Sequence, residues 1–215
     1  MTGERVTLQM KLTGHHMSIP DLEAALPAVG IRAPQGAGFQ SGTLDTDLAV
    51  VGSLDRLNMT GPVTLSNAAL VGFDLGSQMR TAAFLAGLPT SSTTMIQTLT
   101  AFLHIAADGI RVDAINALVP AIGTFTGAGT IAPSGALNFN LLAKLNSSTS
   151  VQGQLLSAIM LGSSEYRIPV HVGGTMEKPV IVPDVSHLAG NLKKPQNPIS
   201  GAVGIVGRLV GKRRK

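Results

Sequence analysis

The segment from Ile168 to Asp184 sets the tightest constraint on how this chain folds. Ile168, Val170 and Val172 alternate with Pro169, His171 and Gly173, a period of two that puts the aliphatic side chains on one side of an extended strand. Gly173 and Gly174 then relieve the backbone, and a polar turn follows. Pro179 and Pro183 bracket a second short strand. Proline cannot donate to a β-ladder, so this second strand belongs at an edge-like position. A β-rich fold built from short antiparallel pairs is the expectation.

The same punctuation recurs along the chain. Leu44, Thr46, Leu48 and Val50 alternate with Asp45, Asp47 and Ala49, which marks a half-exposed strand, with Val63 to Leu70 as its neighbour. Further strands are predicted over Val6 to Leu12, Ile96 to Ile105, Ile110 to Ile115 and Gly123 to Ile131. The cleanest alternation is Leu137-Asn138-Phe139-Asn140-Leu141, apolar on one side and amide on the other. Asp108-Gly109 and Ser134-Gly135 are the strongest turn signals, because glycine tolerates positive φ. Strand spacing of about 8 to 12 residues implies antiparallel meanders. No fixed-period repeat is visible, so a regular solenoid is not established.

Two or three helices interrupt the pattern. Asp21 to Leu26 follows Ser18-Ile19-Pro20, with Ser18 or Asp21 near its start. Ser77 to Ala86 places Met79, Ala82, Ala83 and Ala86 on one face, and Phe84 is expected to bury against the sheet. Val151 to Leu161 is the third, and Gly30 to Gly42 is expected to be a loop. The predicted fold is therefore mainly β (a β-rich α+β protein): an antiparallel, curved sheet or groove with two or three short helices. Residues 1–192 form its domain, and 193–215 a basic tail.

Composition narrows the functional classes. Hydrophobic residues make up 44% of the 215 and charged ones 13%, which excludes a disordered chain. Aromatics are only 3%, with no Trp and Tyr166 the single tyrosine, which argues against stacking platforms for bases or sugars. There is no Cys, hence no disulfide framework, thiolate metal site or Cys nucleophile.

The net charge of +4 conceals an asymmetry. Residues 193–215 hold Lys193, Lys194, Arg208, Lys212, Arg213, Arg214 and Lys215 with no acid, while acids outnumber bases in the rest. The body therefore lacks the basic surface of a nucleic-acid binder. The tail is either a solvated terminus or a contact for anionic membrane through Lys212, Arg213, Arg214 and Lys215, since Ile199, Val203, Ile205, Val206, Leu209 and Val210 precede that cluster. Glycines 201, 204, 207 and 211 weaken any helix there.

Catalytic constellations are missing. His15 and His16 are adjacent, so on a regular strand they point to opposite faces and do not share a metal. His104 and His171 lie in strand-like runs and His187 near the terminus, none at the ligand spacing of H-E-x-x-H. Asp45 and Asp47 share a strand face, where solvated polar positions are the simpler reading than an acid pair. No serine sits in a G-x-S-x-G elbow. Gly123 to Gly129 lacks the Lys and Ser/Thr of a phosphate loop and fits a glycine-kinked strand. The expectation is a non-enzyme with no metal and no cofactor.

Several of these segments, taken in order, resemble the closing domain of the AsmA family of bacterial envelope proteins. Besides Ile168–Asp184, the similar stretches are Leu57 to Gly76 (ending Gly61-Pro62-Val63-Thr64-Leu65 through Gly72-Phe73-Asp74-Leu75-Gly76), Ala107 to Asp113, Gly127 to Ile131 and Ala136 to Asn140. The resemblance spans roughly residues 40 to 190 and leaves out the first forty residues and the basic tail. It implies a part in outer-membrane biogenesis, with phospholipid handled or transferred between membranes along a β-groove similar to that of bridge-like lipid transfer proteins. It also implies an N-terminal membrane anchor ahead of a long periplasmic portion. No run of about 20 apolar residues occurs here, so the expectation is a C-terminal piece of a longer protein, periplasmic and inner-membrane-anchored in its full-length form.

Combined with the period-two face, the resemblance nominates Leu44, Leu48, Val50, Leu137, Phe139 and Leu141 as lipid-facing. The competing reading is a structural or interaction module that caps the groove and docks an envelope partner without touching lipid. An aliphatic face looks alike in sequence whether it fills a closed core or lines an open groove.

Overall fold

The computed structural model describes residues 7–25, 27, 31–53, 56–78, 91–146 and 166–184. They form one antiparallel sheet of nine strands in strictly sequential order. The strands are β1 (Thr7–Ser18), β2 (Gly38–Ser53), β3 (Arg56–Val71), β4 (Thr93–Ala106), β5 (Gly109–Val119), β6 (Gly123–Ile131), β7 (Leu137–Leu145), β8 (Tyr166–Gly174) and β9 (Pro179–Pro183). Each pairs only with its chain neighbours, so the sheet is curved but unclosed, with β1 and β9 at its edges. The mainly β fold expected from the alternation is what the chain adopts.

Cross-strand register carries the aliphatic residues into continuous rows. One row runs Met10, Val50, Met59, Ile105, Ile110, Ile131 and Leu137, crossing seven strands. A second runs Leu44, Leu65, Leu99, Ala117, Phe125, Ala143 and Ile168. Between them lie Leu103, Val112, Gly129, Phe139, Val172 and Ile181. The opposite face has rows such as Lys11, Ala49, Thr60, His104, Arg111, Thr130 and Asn138. Because side chains alternate with a period of two, this register segregates one apolar and one largely polar face. Ala101, Ile110 and Val112 form a buried cluster on the apolar face, against which Val63, Leu99, Leu103, Ile115 and Phe139 pack.

Turn chemistry agrees with the strand ends. β4 and β5 meet at the Ala106–Gly109 pair, with φ +128° at Gly109. The β6–β7 connection closes with the Gly135 amide donating to the Ala132 carbonyl at 2.8 Å, Gly135 standing at φ +81°.

Three expectations need correction. Of the segment expected to be helical over Asp21 to Leu26, the described part holds a single turn, α1 (Ile19–Leu22), which starts earlier because Pro20 fits the first turn and Ser18 is the N-cap. The segment from Gly30 to Gly42 is not all loop, since β2 already starts at Gly38. Bulges between Phe39 and Ser41 and between Ser41 and Thr43 break the alternation, and that hid the strand. Within the segment expected to be helical from Ser77, the described part is the end of a four-residue helix, α2 (Leu75–Gln78). It is started by Asp74, whose carboxylate accepts from the Ser77 amide at 3.0 Å. Met79 to Ala86, including Phe84, and Val151 to Leu161 lie outside the described residues, as do His187 and residues 193–215.

Candidate functional site

All six nominated residues stand on the apolar face. Val50 and Leu137 belong to one cross-strand row, Leu44 to another, and Leu48 pairs with Leu12 of β1. Leu48 and Val50 are buried, at 7% and 5% exposure, whereas Leu44, Leu137, Phe139 and Leu141 are half-buried. Toward the β1 edge the face opens: Met10 and Leu12 are each 48% exposed.

Here the sheet carries a cleft of about 350 Å³. Its walls come from β1 (Leu12, Gly14, Met17), β2 (Leu44, Leu48), β3 (Met59, Val63) and β4 (Leu103, Ile105), with Leu22, Ala25 and Ile31 along its rim. Among the described residues, Thr13 and Thr46 are its only polar lining residues. Such a surface offers mainly dispersion contacts, so it suits a flexible hydrocarbon. The cleft joins only Leu44 and Leu48 of the nominated set. Leu137, Phe139 and Leu141 lie farther along the same face, on β7. Sequence reasoning missed Leu12, Met59, Leu103 and Ile105, although the alternation of Leu8, Met10 and Leu12 carried a usable signal.

Narrow glycines shape the face beyond the cleft. Gly129 pairs with Phe139, and a β-carbon built on Gly129 would overlap the Phe139 ring. Gly127 likewise pairs with Leu141 and leaves its δ-methyl room, 3.0 Å from where a β-carbon would stand. The Gly123–Gly129 run is thus strand β6, shaved to let the side chains of β7 lie flat.

The polar groups pair in ways the sequence hid. β1 shifts register between Gly14 and Met17, with His16 at φ +50°. That bulge overturns the expectation that His15 and His16 point apart. Their Nδ1 atoms lie 3.8 and 3.6 Å from the same Asp45 oxygen, which also accepts from the His16 amide at 2.9 Å. Asp47 is paired separately with Lys11 at 2.7 Å, so the two aspartates hold different partners. On the polar face His104 Nε2 stands 3.3 Å from Asp113 Oδ2, which Arg111 also binds at 3.0 Å. His171 Nδ1 lies 3.2 Å from Asn140 Oδ1. Among the described residues, no three His, Cys, Asp or Glu side chains are placed to hold a metal.

No helix among the described residues is long and apolar enough to cross a membrane. No protein-family model, curated protein or solved structure matches this chain.

Proposed function

We propose that this chain is the C-terminal part of an AsmA-like envelope protein and that it handles phospholipid without catalysis, holding acyl chains against its apolar sheet face. The observation that carries the reading is the cleft among β1–β4: largely aliphatic, open at the β1 edge, and continuous with the rows leading to Leu137, Phe139 and Leu141. An apolar cleft that opens to water is costly and marks a site for a lipid or an apolar partner. The family resemblance selects lipid, and with it a periplasmic setting and a part in outer-membrane biogenesis.

A second reading, a capping module that docks an envelope partner, draws on one observation. The row Phe125, Ala143 and Ile168 is fully buried, so part of the face behaves as filled core. One experiment separates the two. Protein expressed in a bacterial periplasm is purified, extracted with organic solvent and measured by mass spectrometry. Stoichiometric phospholipid is expected; a level equal to that of an unrelated control protein rejects lipid handling and leaves the capping role.

A further inference from the structure

We infer that residues 31–36 are a strap that gates the apolar cleft; the inference rests on the lipid-handling reading and adds its regulation. The strap starts on the apolar face, where Ile31 lines the cleft and packs against the Ala101, Ile110 and Val112 cluster. It then reaches the β8–β9 turn, 145 residues away in sequence. There Arg32 Nη1 donates to Glu177 Oε1 at 2.9 Å, and the Gln35 amide donates to the Glu177 carbonyl at 2.7 Å. Two residues farther on, at Gly38, the chain enters β2. The strap therefore spans the gap between the start of β2 and the far end of the curled sheet.

Both fasteners converge on one residue, and that residue is itself held. Its turn is closed by the Lys178 amide donating to the Thr175 carbonyl at 3.0 Å. The Met176 amide ties the turn to the β6–β7 hairpin through the Gly135 carbonyl, also at 3.0 Å. The anchor is tied by backbone hydrogen bonds of its own, while the latch is one backbone bond and an ion pair whose partners, Arg32 and Glu177, are both more than half exposed. An exposed ion pair contributes little to stability. A strap with a firm anchor and a weak latch opens without unfolding the sheet. While it is fastened, Ile31 keeps the cleft at about 350 Å³, and its release enlarges the space open to an acyl chain.

The chain has no cysteine, so engineered thiols report on the strap alone. The 215-residue chain is mixed with phosphatidylcholine vesicles carrying a trace of acyl-labelled fluorescent phosphatidylcholine, and the rate of uptake is recorded. Arg32→Glu is expected to load about two- to fivefold faster than wild type, as suits the loss of an exposed ion pair. Adding Glu177→Arg to it is expected to restore the wild-type rate. In a Gln35→Cys, Glu177→Cys variant, a short reducible bis-maleimide bridge is expected to block uptake, and reductant to restore it. Wild-type protein that takes up no lipid sinks the lipid-handling reading and the gate with it. Wild-type uptake together with unchanged rates in Arg32→Glu or in the bridged protein overturns the gate alone. The bridged variant also keeps the test decisive if Arg32→Glu fails to fold.

Discussion

The Phe139 ring lies across Gly129, in the space a β-carbon would fill, and from there reaches the Ala101, Ile110 and Val112 cluster two strands away. Glycine in a strand interior ordinarily weakens the strand. Here its missing side chain lets an aromatic cross the sheet and bridge β7 to β5. Gly129→Ala is expected to lower the unfolding free energy by roughly 1–3 kcal/mol, since the ring has to leave its rotamer. Urea denaturation checks this. In a double-mutant cycle Phe139→Ala is expected to absorb the part of the Gly129→Ala cost that comes from the ring, leaving the approach of the new β-carbon to the Asn138 carbonyl, 2.7 Å. Additive losses would show that the two residues act independently.

Gly42 performs a different task. It stands at φ +125° in the bulged start of β2, where a β-carbon would come within 2.8 Å of the Ala68 Cα and 2.9 Å of the Ile19 side chain. Ala68 and Ile19 are both buried, so neither gives way. Gly42→Ala is expected to destabilise by roughly 1–3 kcal/mol, combining backbone strain with overpacking. Thermal unfolding by circular dichroism is the measurement, and a change below about 0.5 kcal/mol would mean that α1 is only loosely docked on β3.

Asp45 and Asp47 look equivalent in sequence and are not equivalent in the fold. Asp45 accepts the His16 amide inside a β-bulge, whereas Asp47 pairs with the exposed Lys11 ammonium. Asp45→Ala is expected to cost about 1 kcal/mol through the unpaired amide and the relaxed bulge. Asp47→Ala is expected to stay within about 0.5 kcal/mol, as for most surface ion pairs. Equal losses in chemical denaturation would contradict the distinction.

Strand alternation was legible because each strand buries only one face, which writes its period into the residues. Gly123–Ile131 matched its strand end to end, and Leu137, Phe139 and Leu141 were correctly placed on one side. What stayed hidden were the irregularities. The bulge at His15–His16 and the paired bulges around Ser41 each add a residue to one strand, and alternation is the signal that an extra residue destroys. The strap was equally invisible. Arg32 and Glu177 lie far apart in the chain, and only the curl of the sheet brings them together.

Leu12 separates lipid contact from stability. It lines the cleft while remaining 48% exposed, so Leu12→Glu leaves the core intact and sets a carboxylate in the cleft mouth. The expected outcome is a stability change of under about 1 kcal/mol and a several-fold loss of acyl-labelled lipid uptake, because an ionised group resists an apolar contact. Undiminished uptake by a folded variant would place the acyl chain elsewhere on the face.

The basic tail tests whether charge brings the protein to a membrane. Residues 193–215 carry seven basic residues and no acid, and β9, the last strand among the described residues, ends at Pro183. Deleting 193–215 is therefore expected to leave the unfolding transition of the sheet unchanged. Each basic residue near an anionic surface contributes on the order of 1 kcal/mol, and salt screens it. Sedimentation with phosphatidylglycerol liposomes is expected to show weaker binding of the truncated chain at low salt, and a difference that closes as salt is raised. Equal binding of the two chains at low salt would reduce the tail to a solvated terminus and leave any membrane contact to the open β1 edge of the apolar face.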